Sequence, residues 1–246
     1  MTSNSLFGGR LRLLQPARSH RAGTDAVLLA AACPPANRIA DLGAGVGTVG
    51  LRAAQMHPLS QVFLFERDPL LIRLAKDNIE QNQLAGRVTA LETDLLAKGF
   101  AGPDSGPCDL VLTNPPFDEA GSVRRSPVPL RAAAHVLEAS LDLWIKAALK
   151  ALTPDGTMVV IHRADALPRL LEALGNRFGG LALLPVHPAE GRPASRILIQ
   201  GKRGSKAPLH ILPPLFLHRP DGSFTSEAEA IHRGEARIAL EIQHTR

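Results

Sequence analysis

The stretch "RIADLGAGVGTVGL", Arg38–Leu51, decides the fold. Arg38–Leu42 reads as a short buried strand. Gly43, Gly45 and Gly47 follow at once, where missing side chains let the backbone approach a ligand closely. Outward from this loop, short apolar runs alternate with helical patterns. Strands are predicted at 38–42, 61–66, 88–93, 109–113, 157–162, 181–186 and 196–200, with helices between them. The clearest helix is predicted over Arg131–Leu152, where Leu137, Leu141, Trp144, Ile145, Ala148, Leu149 and Leu152 recur at three- and four-residue steps. Trp144 reads as core on that stripe, and Thr153-Pro154-Asp155-Gly156 stops the helix. The alternation predicts an α/β fold, a mostly parallel sheet with helices on both faces and ligands gathered at the carboxyl ends of the strands.

Composition sets the bounds. The chain has 246 residues, 45% of them hydrophobic, enough to bury the core of one α/β domain spanning 1–246. A basic lead occupies 1–25, and an extension over 201–246 reads as a hairpin-like addition to the sheet edge. The net charge of +5 favours a polyanionic partner. Only Cys33 and Cys108 are present, so neither a disulfide framework nor a Cys-rich metal site is available, and the histidines show no metal-ligand spacing. A cytoplasmic location is expected. The run Ala26–Cys33 is too short to cross a bilayer and reads instead as a core helix begun by Thr24 or Asp25.

The glycines alone do not separate a nicotinamide enzyme from a methyltransferase, because Gly45, Gly47 and Gly50 also satisfy the dinucleotide fingerprint. Asp41 helps. A carboxylate there would repel a pyrophosphate by about 1 to 4 kcal/mol, whereas S-adenosylmethionine carries an ammonium and a sulfonium and no phosphate. The competing role for Asp41 is to brace the loop through its amides. Glu66 closes the second strand in "VFLFERD", placed to take both ribose hydroxyls. Asp94, in "ALETDLL", is placed to accept from an adenine amino group, or equally to act as N-cap of the next short helix.

"TNPPF", Thr113–Phe117, ends the fourth strand with more rigidity than a terminator needs. Each proline fixes its own φ and holds the residue before it extended, so Asn114 and Pro115 present their polar groups outward. The Asn114 side-chain oxygen and the Pro115 carbonyl would accept from the two N–H bonds of an exocyclic amino group, and Phe117 would stack on the planar acceptor. Pro116 completes the scaffold.

Together "DLGAGVG", "FERD", "TDLL" and "TNPPF" resemble the class I methyltransferases that act on exocyclic or amide nitrogens. "HRAGTDAVLLAA", "RPASRILIQGKRG" and "FLHRPDGSFTSEAEAIHRG" are further similar to the bacterial tRNA1(Val) adenine N6-methyltransferase family, over about Leu11 to Gly234. The resemblance implies a Rossmann-like seven-stranded sheet with its last strand antiparallel. It also implies S-adenosyl-L-methionine as donor, S-adenosyl-L-homocysteine as product, and tRNA as partner. Cofactor contacts are implied at Gly43, Ala44, Gly45, Gly47, Glu66 with Arg67, Asp94 with Leu95, and Asn114, with Asn114 to Phe117 as the catalytic peptide. Gly23, Thr24 and Asp25 are read either as folding over the donor or as a plain helix cap. Phe117 stands where relatives often carry Tyr. Arg10, Arg12, Arg18 and Arg21, then Arg124, Arg125 and Arg131, then Arg192, Arg196, Lys202, Arg203 and Lys206 form basic clusters suited to phosphates. Three alternatives stay open: a protein-glutamine methyltransferase, a non-catalytic donor- and RNA-binding module, and a nicotinamide oxidoreductase.

Overall fold

The computed structural model describes residues 1–17, 23–116 and 130–241, with backbone alone over 130–140. Strands β1 (Thr2–Leu6) and β2 (Leu11–Gln15) form an antiparallel ribbon. There follow α1 (Thr24–Ala31), β3 (Arg38–Leu42), α2 (Thr48–Met56), β4 (Gln61–Glu66), α3 (Pro69–Gln81), β5 (Val88–Glu92) and β6 (Cys108–Thr113). Next come α4 (Leu130–Ala151), β7 (Leu152–Arg163), α5 (Leu167–Leu174), β8 (Phe178–Ala189), β9 (Arg196–Arg203), β10 (His210–Ile211), β11 (Leu215–His218) and α6 (Ser226–His232).

The main sheet runs β10-β8-β9-β7-β6-β3-β4-β5, and β11 also pairs with β8. β3 pairs in parallel with β4 on one side and β6 on the other. The order therefore reverses beside β3, and the carboxyl ends flanking that switch point form the crevice in which such sheets hold ligands. β9 is antiparallel to both β7 and β8, as expected. The seven expected strands are all present, but among the described residues the sheet has nine. The extra two come from the extension and correct the hairpin reading. β10 lies parallel to β8 beside Ala182 and Leu183, and β11 lies parallel beside Val186, His187 and Ala189. Pro213 and Pro214 lack N–H donors and break the ladder between them. The chain runs on in one direction through β10 and β11, so the hairpin-like turn comes only after them, where His218 bridges Phe224 in the antiparallel sense and the Arg219 amide donates to the Ser223 carbonyl at 2.8 Å.

Local chemistry explains the helices that carry the site. Asp68 caps α3 by accepting from the amides of Leu70 and Leu71, with Pro69 at the first helical position. α1 is different from expectation: Gly23 is its N-cap, Thr24 is already helical, and no side chain caps it. α4 ends at Ala151 and β7 begins at the next residue. Thr153–Gly156 therefore stops the helix from within an irregular strand start, where Asp155 takes φ of 61°.

Apolar side chains cover both faces of the sheet. Leu28, Leu29, Leu51 and Ile79 pack on one face over Ile39, Leu64, Leu110 and Ile161. Ile145, Ala148, Leu170 and Leu174 pack on the other over Ala40, Phe65, Val111 and Val160. Strands buried on both faces read as continuous apolar runs, which is why they were legible. Burying each such side chain contributes roughly 1.5 to 3 kcal/mol. Among the described residues no helix is long and apolar enough to cross a membrane.

Candidate active site

The register levels four strand ends. Leu42 pairs with Phe65 on β4 and with Thr113 on β6, and Glu66 pairs with Glu92 on β5. Gly43, Glu66 and Asn114 therefore leave the sheet at one height, with Asp94 two residues past the end of β5. From β5 to β6 is three strand spacings of about 4.8 Å each. The row is long enough for an extended ligand lying across the switch point.

Nearly every amide of the glycine loop is held. Gly43 and Ala44 both donate to the Phe65 carbonyl at 2.9 Å, and Gly47 donates to the Ala44 carbonyl at 2.8 Å. Gly45 donates to Glu66 Oε2 at 2.9 Å, and Gly50 donates to Asp41 Oδ2 at 2.8 Å. The glycines divide by what surrounds them. At Gly45, with φ of +57°, an added Cβ would meet nothing within 4 Å, so this residue faces open space. At Gly43, with φ of +73°, a Cβ would lie 2.9 Å from Trp144 Cζ2. The expected close backbone approach to a ligand thus concerns Gly45, while Gly43 is required by packing.

Asp41 is only 2% exposed, and burial pushes its carboxyl up to about 7 against the lowering effect of the Gly50 amide. It braces the loop from beneath. Glu66 is half-buried, and its Oε1 accepts from the amides of Arg67 at 2.8 Å and Asp68 at 2.9 Å. With Gly45 on the other oxygen, three amides fix the orientation of this carboxylate and take three of its roughly four acceptor sites, leaving Oε2 with capacity for a hydroxyl. Arg67 is exposed. Asp94 is exposed and accepts from the Leu96 amide at 2.9 Å through Oδ1, capping a turn, while Leu95 is buried beside it. No helix follows Asp94, so the cap serves a turn only.

Among the described residues, Asn114 Oδ1 is buried and has no hydrogen-bond partner. Such an acceptor costs about 1 to 3 kcal/mol to keep unsatisfied. Pro115 is buried as well, so the expected outward presentation of polar groups by Asn114 and Pro115 is not met: two prolines in succession stiffen the peptide but do not turn it out of the fold. Pro116 is exposed, and Phe117 lies outside the described residues. The strand beneath is locked from the far side. Thr113, fully buried, donates through Oγ1 to the Leu42 carbonyl at 2.9 Å and accepts from Trp144 Nε1 at 2.7 Å. Trp144 was read as core; its indole in fact ties α4 to the tip of β6 while its edge packs on Gly43. Apolar periodicity carries no trace of an N–H donor's partner, which is why this contact was missed. His162, at the end of β7, was also not singled out. It is 7% exposed, and burial lowers it to about 4, leaving a neutral imidazole whose Nδ1 accepts from the Arg163 amide.

Several basic residues have work inside the fold, which corrects the phosphate reading for them. Arg196 Nε donates to both oxygens of Asp25 at 3.0 Å, tying the start of α1 to β9. This interaction occupies the Asp25 carboxylate, while Thr24 is half-buried in the first turn. Arg203 donates to the carbonyls of Leu149 and Leu152 at the end of α4. Arg10 donates to the carbonyls of Phe7 and Arg233. Arg12, Arg192, Lys202 and Lys206 are exposed. Arg18, Arg21, Arg124 and Arg125 lie outside the described residues, as does the Arg131 side chain.

Known proteins resemble this chain in sequence and in fold. A tRNA1(Val) (adenine(37)-N6)-methyltransferase of Dyadobacter fermentans is 28% identical over 81% of this chain and 82% of that protein. One of Histophilus somni is 33% identical over 57% and 60%, and one of Glaesserella parasuis 28% over 62% and 63%. In these last two matches the chain spans about three fifths of the relative's length. Among solved structures, a predicted O-methyltransferase of Agrobacterium tumefaciens superposes with a TM-score of 0.73 at 28% identity, over 89% of this chain and all of that one. TrmN from Thermus thermophilus shares the fold with a TM-score of 0.52 at 22% identity, over 73% of this chain and 48% of that one. The family described as the methyltransferase small domain matches residues 21–183, and with the glycine loop, the switch point and the strand order in place, the chain belongs to that family.

Proposed function

We propose that the protein is an S-adenosylmethionine-dependent N-methyltransferase that methylates the N6 amino group of an adenine in a tRNA1(Val)-type substrate. The observation that carries this reading is Asn114 Oδ1, a buried acceptor without a donor among the described residues, at the end of β6 and level with Gly43. At this strand end, beside the glycine loop, the unpartnered acceptor is suited to an N–H supplied by a ligand.

The residues present fit the donor. Gly45 leaves open space above the loop, and Glu66 is pinned with free acceptor capacity toward a ribose. Asp94 has its Oδ2 available for an adenine amino group, and the Glu66 carboxylate suits a cationic ligand better than a pyrophosphate. When bound, S-adenosylmethionine supplies a methyl group activated by its sulfonium.

The chain's own part is preorganisation. Asn114 Oδ1 and the Pro115 carbonyl hold the two N–H bonds of the acceptor amine, favouring a pyramidal nitrogen whose lone pair is released from the ring. They stabilise positive charge as it develops on that nitrogen, and the proton leaves to solvent after transfer, so no general base is needed beforehand. The Thr113–Trp144 bond keeps the peptide from giving way. Phe117, next in sequence, is the proposed stacking platform for the base.

The relatives named above support tRNA as the acceptor and fit a cytoplasmic location, and exposed Arg12, Arg192, Lys202 and Lys206 suit a phosphate backbone. The test is incubation with methyl-labelled donor and total tRNA, followed by digestion to nucleosides. N6-methyladenosine from one tRNA species is the expected product. Label appearing instead on protein glutamine would replace the RNA reading with the protein-glutamine one.

A further inference from the structure

We infer that Asn78 is a positioning residue for the donor site, a hub through which the N-terminal ribbon and α3 set the carbonyl of Val46 in the glycine loop. Its functional half rests on the donor reading above.

Asn78 lies on the buried face of α3 and is fully buried. Its Oδ1 accepts from the Leu14 amide at 2.6 Å, and its Nδ2 donates to the Leu14 carbonyl at 3.0 Å and to the Val46 carbonyl at 2.9 Å. One turn on, Asn82 repeats part of the pattern: Oδ1 accepts from the Arg12 amide at 3.0 Å and Nδ2 donates to the Arg12 carbonyl at 2.7 Å. The spacing works because four residues of helix rise about 6.0 Å and two residues of strand about 6.6 Å. Two carboxamides thus stand in for a neighbouring strand along the edge of β2 that β1 leaves free. Both moor the ribbon, but Asn78 alone also reaches the loop.

That extra bond matters because Val46 lies between Gly45, which faces open space, and Gly47, which starts α2. With both Nδ2 hydrogens engaged, a carboxamide has no freedom to rotate. The loop carbonyl is therefore set by the same group that fixes β2, and a loosened ribbon would be felt at the cradle. Neither asparagine stands out in the sequence, since an Asn within a helical run reads as a solvated position.

Asn82 provides the internal control. Asn78→Leu and Asn82→Leu each remove ribbon bonds, and only the first removes the loop bond. Two readouts are compared: amide hydrogen exchange across 45–49 in the ligand-free protein, and S-adenosylhomocysteine affinity by calorimetry. Both variants should speed exchange in β2. Asn78→Leu should also speed exchange in the loop and weaken binding, each by about tenfold or more, and raise the donor KM with kcat retained; Asn82→Leu should leave loop exchange and affinity within about twofold. If Asn78→Leu does not fold, Asn78→Ser, which keeps a short polar group, takes its place. Equal loop exchange and affinity in the two variants would overturn the inference, as would a loop indifferent to Asn78. Should the wild type bind no S-adenosylhomocysteine, the donor reading fails, and loop exchange still decides what Asn78 does.

Discussion

Replacing Gly45 with alanine separates the part of the loop that faces a ligand from the part that is packed. Gly45 has φ of +57° and nothing within 4 Å of an added Cβ, so the fold bears only the cost of a left-handed alanine. That cost is about 1 to 2 kcal/mol. In a chain of this size it corresponds to a fall in Tm of roughly 2 to 8 °C. Gly43 is the contrast. Its φ is +73° and its Cβ would sit 2.9 Å from the rigid edge of Trp144. Overpacking adds about 1 to 3 kcal/mol to the backbone strain, for a total of about 2 to 5 kcal/mol. Calorimetric unfolding and titration with S-adenosylhomocysteine measure both quantities on the same samples. Gly45→Ala should keep most of its stability yet lose at least about tenfold in affinity, about 1.4 kcal/mol. Gly43→Ala should show the larger stability loss. Wild-type affinity in Gly45→Ala would refute the claim that the open side of this residue is where the donor lies.

Two further outcomes follow from the same geometry. Asp41 titrates near pH 7 when folded because of its burial, against an ordinary value of 3.8. The folded state thus holds the proton more tightly, and stability present below about pH 4 is lost as pH rises through about 7, by an amount on the order of a few kcal/mol. Asp41→Asn keeps an acceptor for Gly50 and removes this loss, so urea unfolding should find it more stable than wild type at pH 8 and equal at pH 4. Trp144→Phe removes the donor to Thr113 and opens space at Gly43, with an expected loss of about 1 to 3 kcal/mol. Gly43→Ala should then cost less on the Trp144→Phe background than alone, a coupling that a double-mutant cycle by denaturant unfolding reads directly.

The parts of the fold that the sequence made legible are those where one pattern has one physical cause. Strands buried on both faces must be apolar throughout, so β3, β4 and β6 were visible, and the glycine loop followed from its abrupt position after β3. The ribbon β1–β2 was not visible, because its buried Leu11 and Leu13 alternate with Arg12 inside a basic segment that reads as a solvated lead. The extension was seen as a hairpin-like edge addition, but its two parallel strands β10 and β11 were not, since each is short and two prolines interrupt the run between them. Within the candidate site, the placing of Gly45, Glu66 and Asn114 at or just beyond neighbouring strand ends was legible by type and spacing. Trp144, Asn78 and the Asp25–Arg196 pair were not: each acts through a partner remote in sequence, and periodicity reports which side of a helix is buried, not what a buried polar atom bonds to.

Methyl transfer by Asn114→Ala, set beside its stability, is the measurement closest to the chemistry. Oδ1 is buried and unpartnered among the described residues, so its removal should leave the unfolding free energy unchanged or raise it by about 1 kcal/mol. Transfer of labelled methyl to tRNA should fall by about 10² to 10³ in kcat, the usual loss on removing one preorganised dipole, with S-adenosylhomocysteine still bound. A variant that is less stable yet forms N6-methyladenosine at the wild-type rate would show that this asparagine belongs to the scaffold and does not hold the amine.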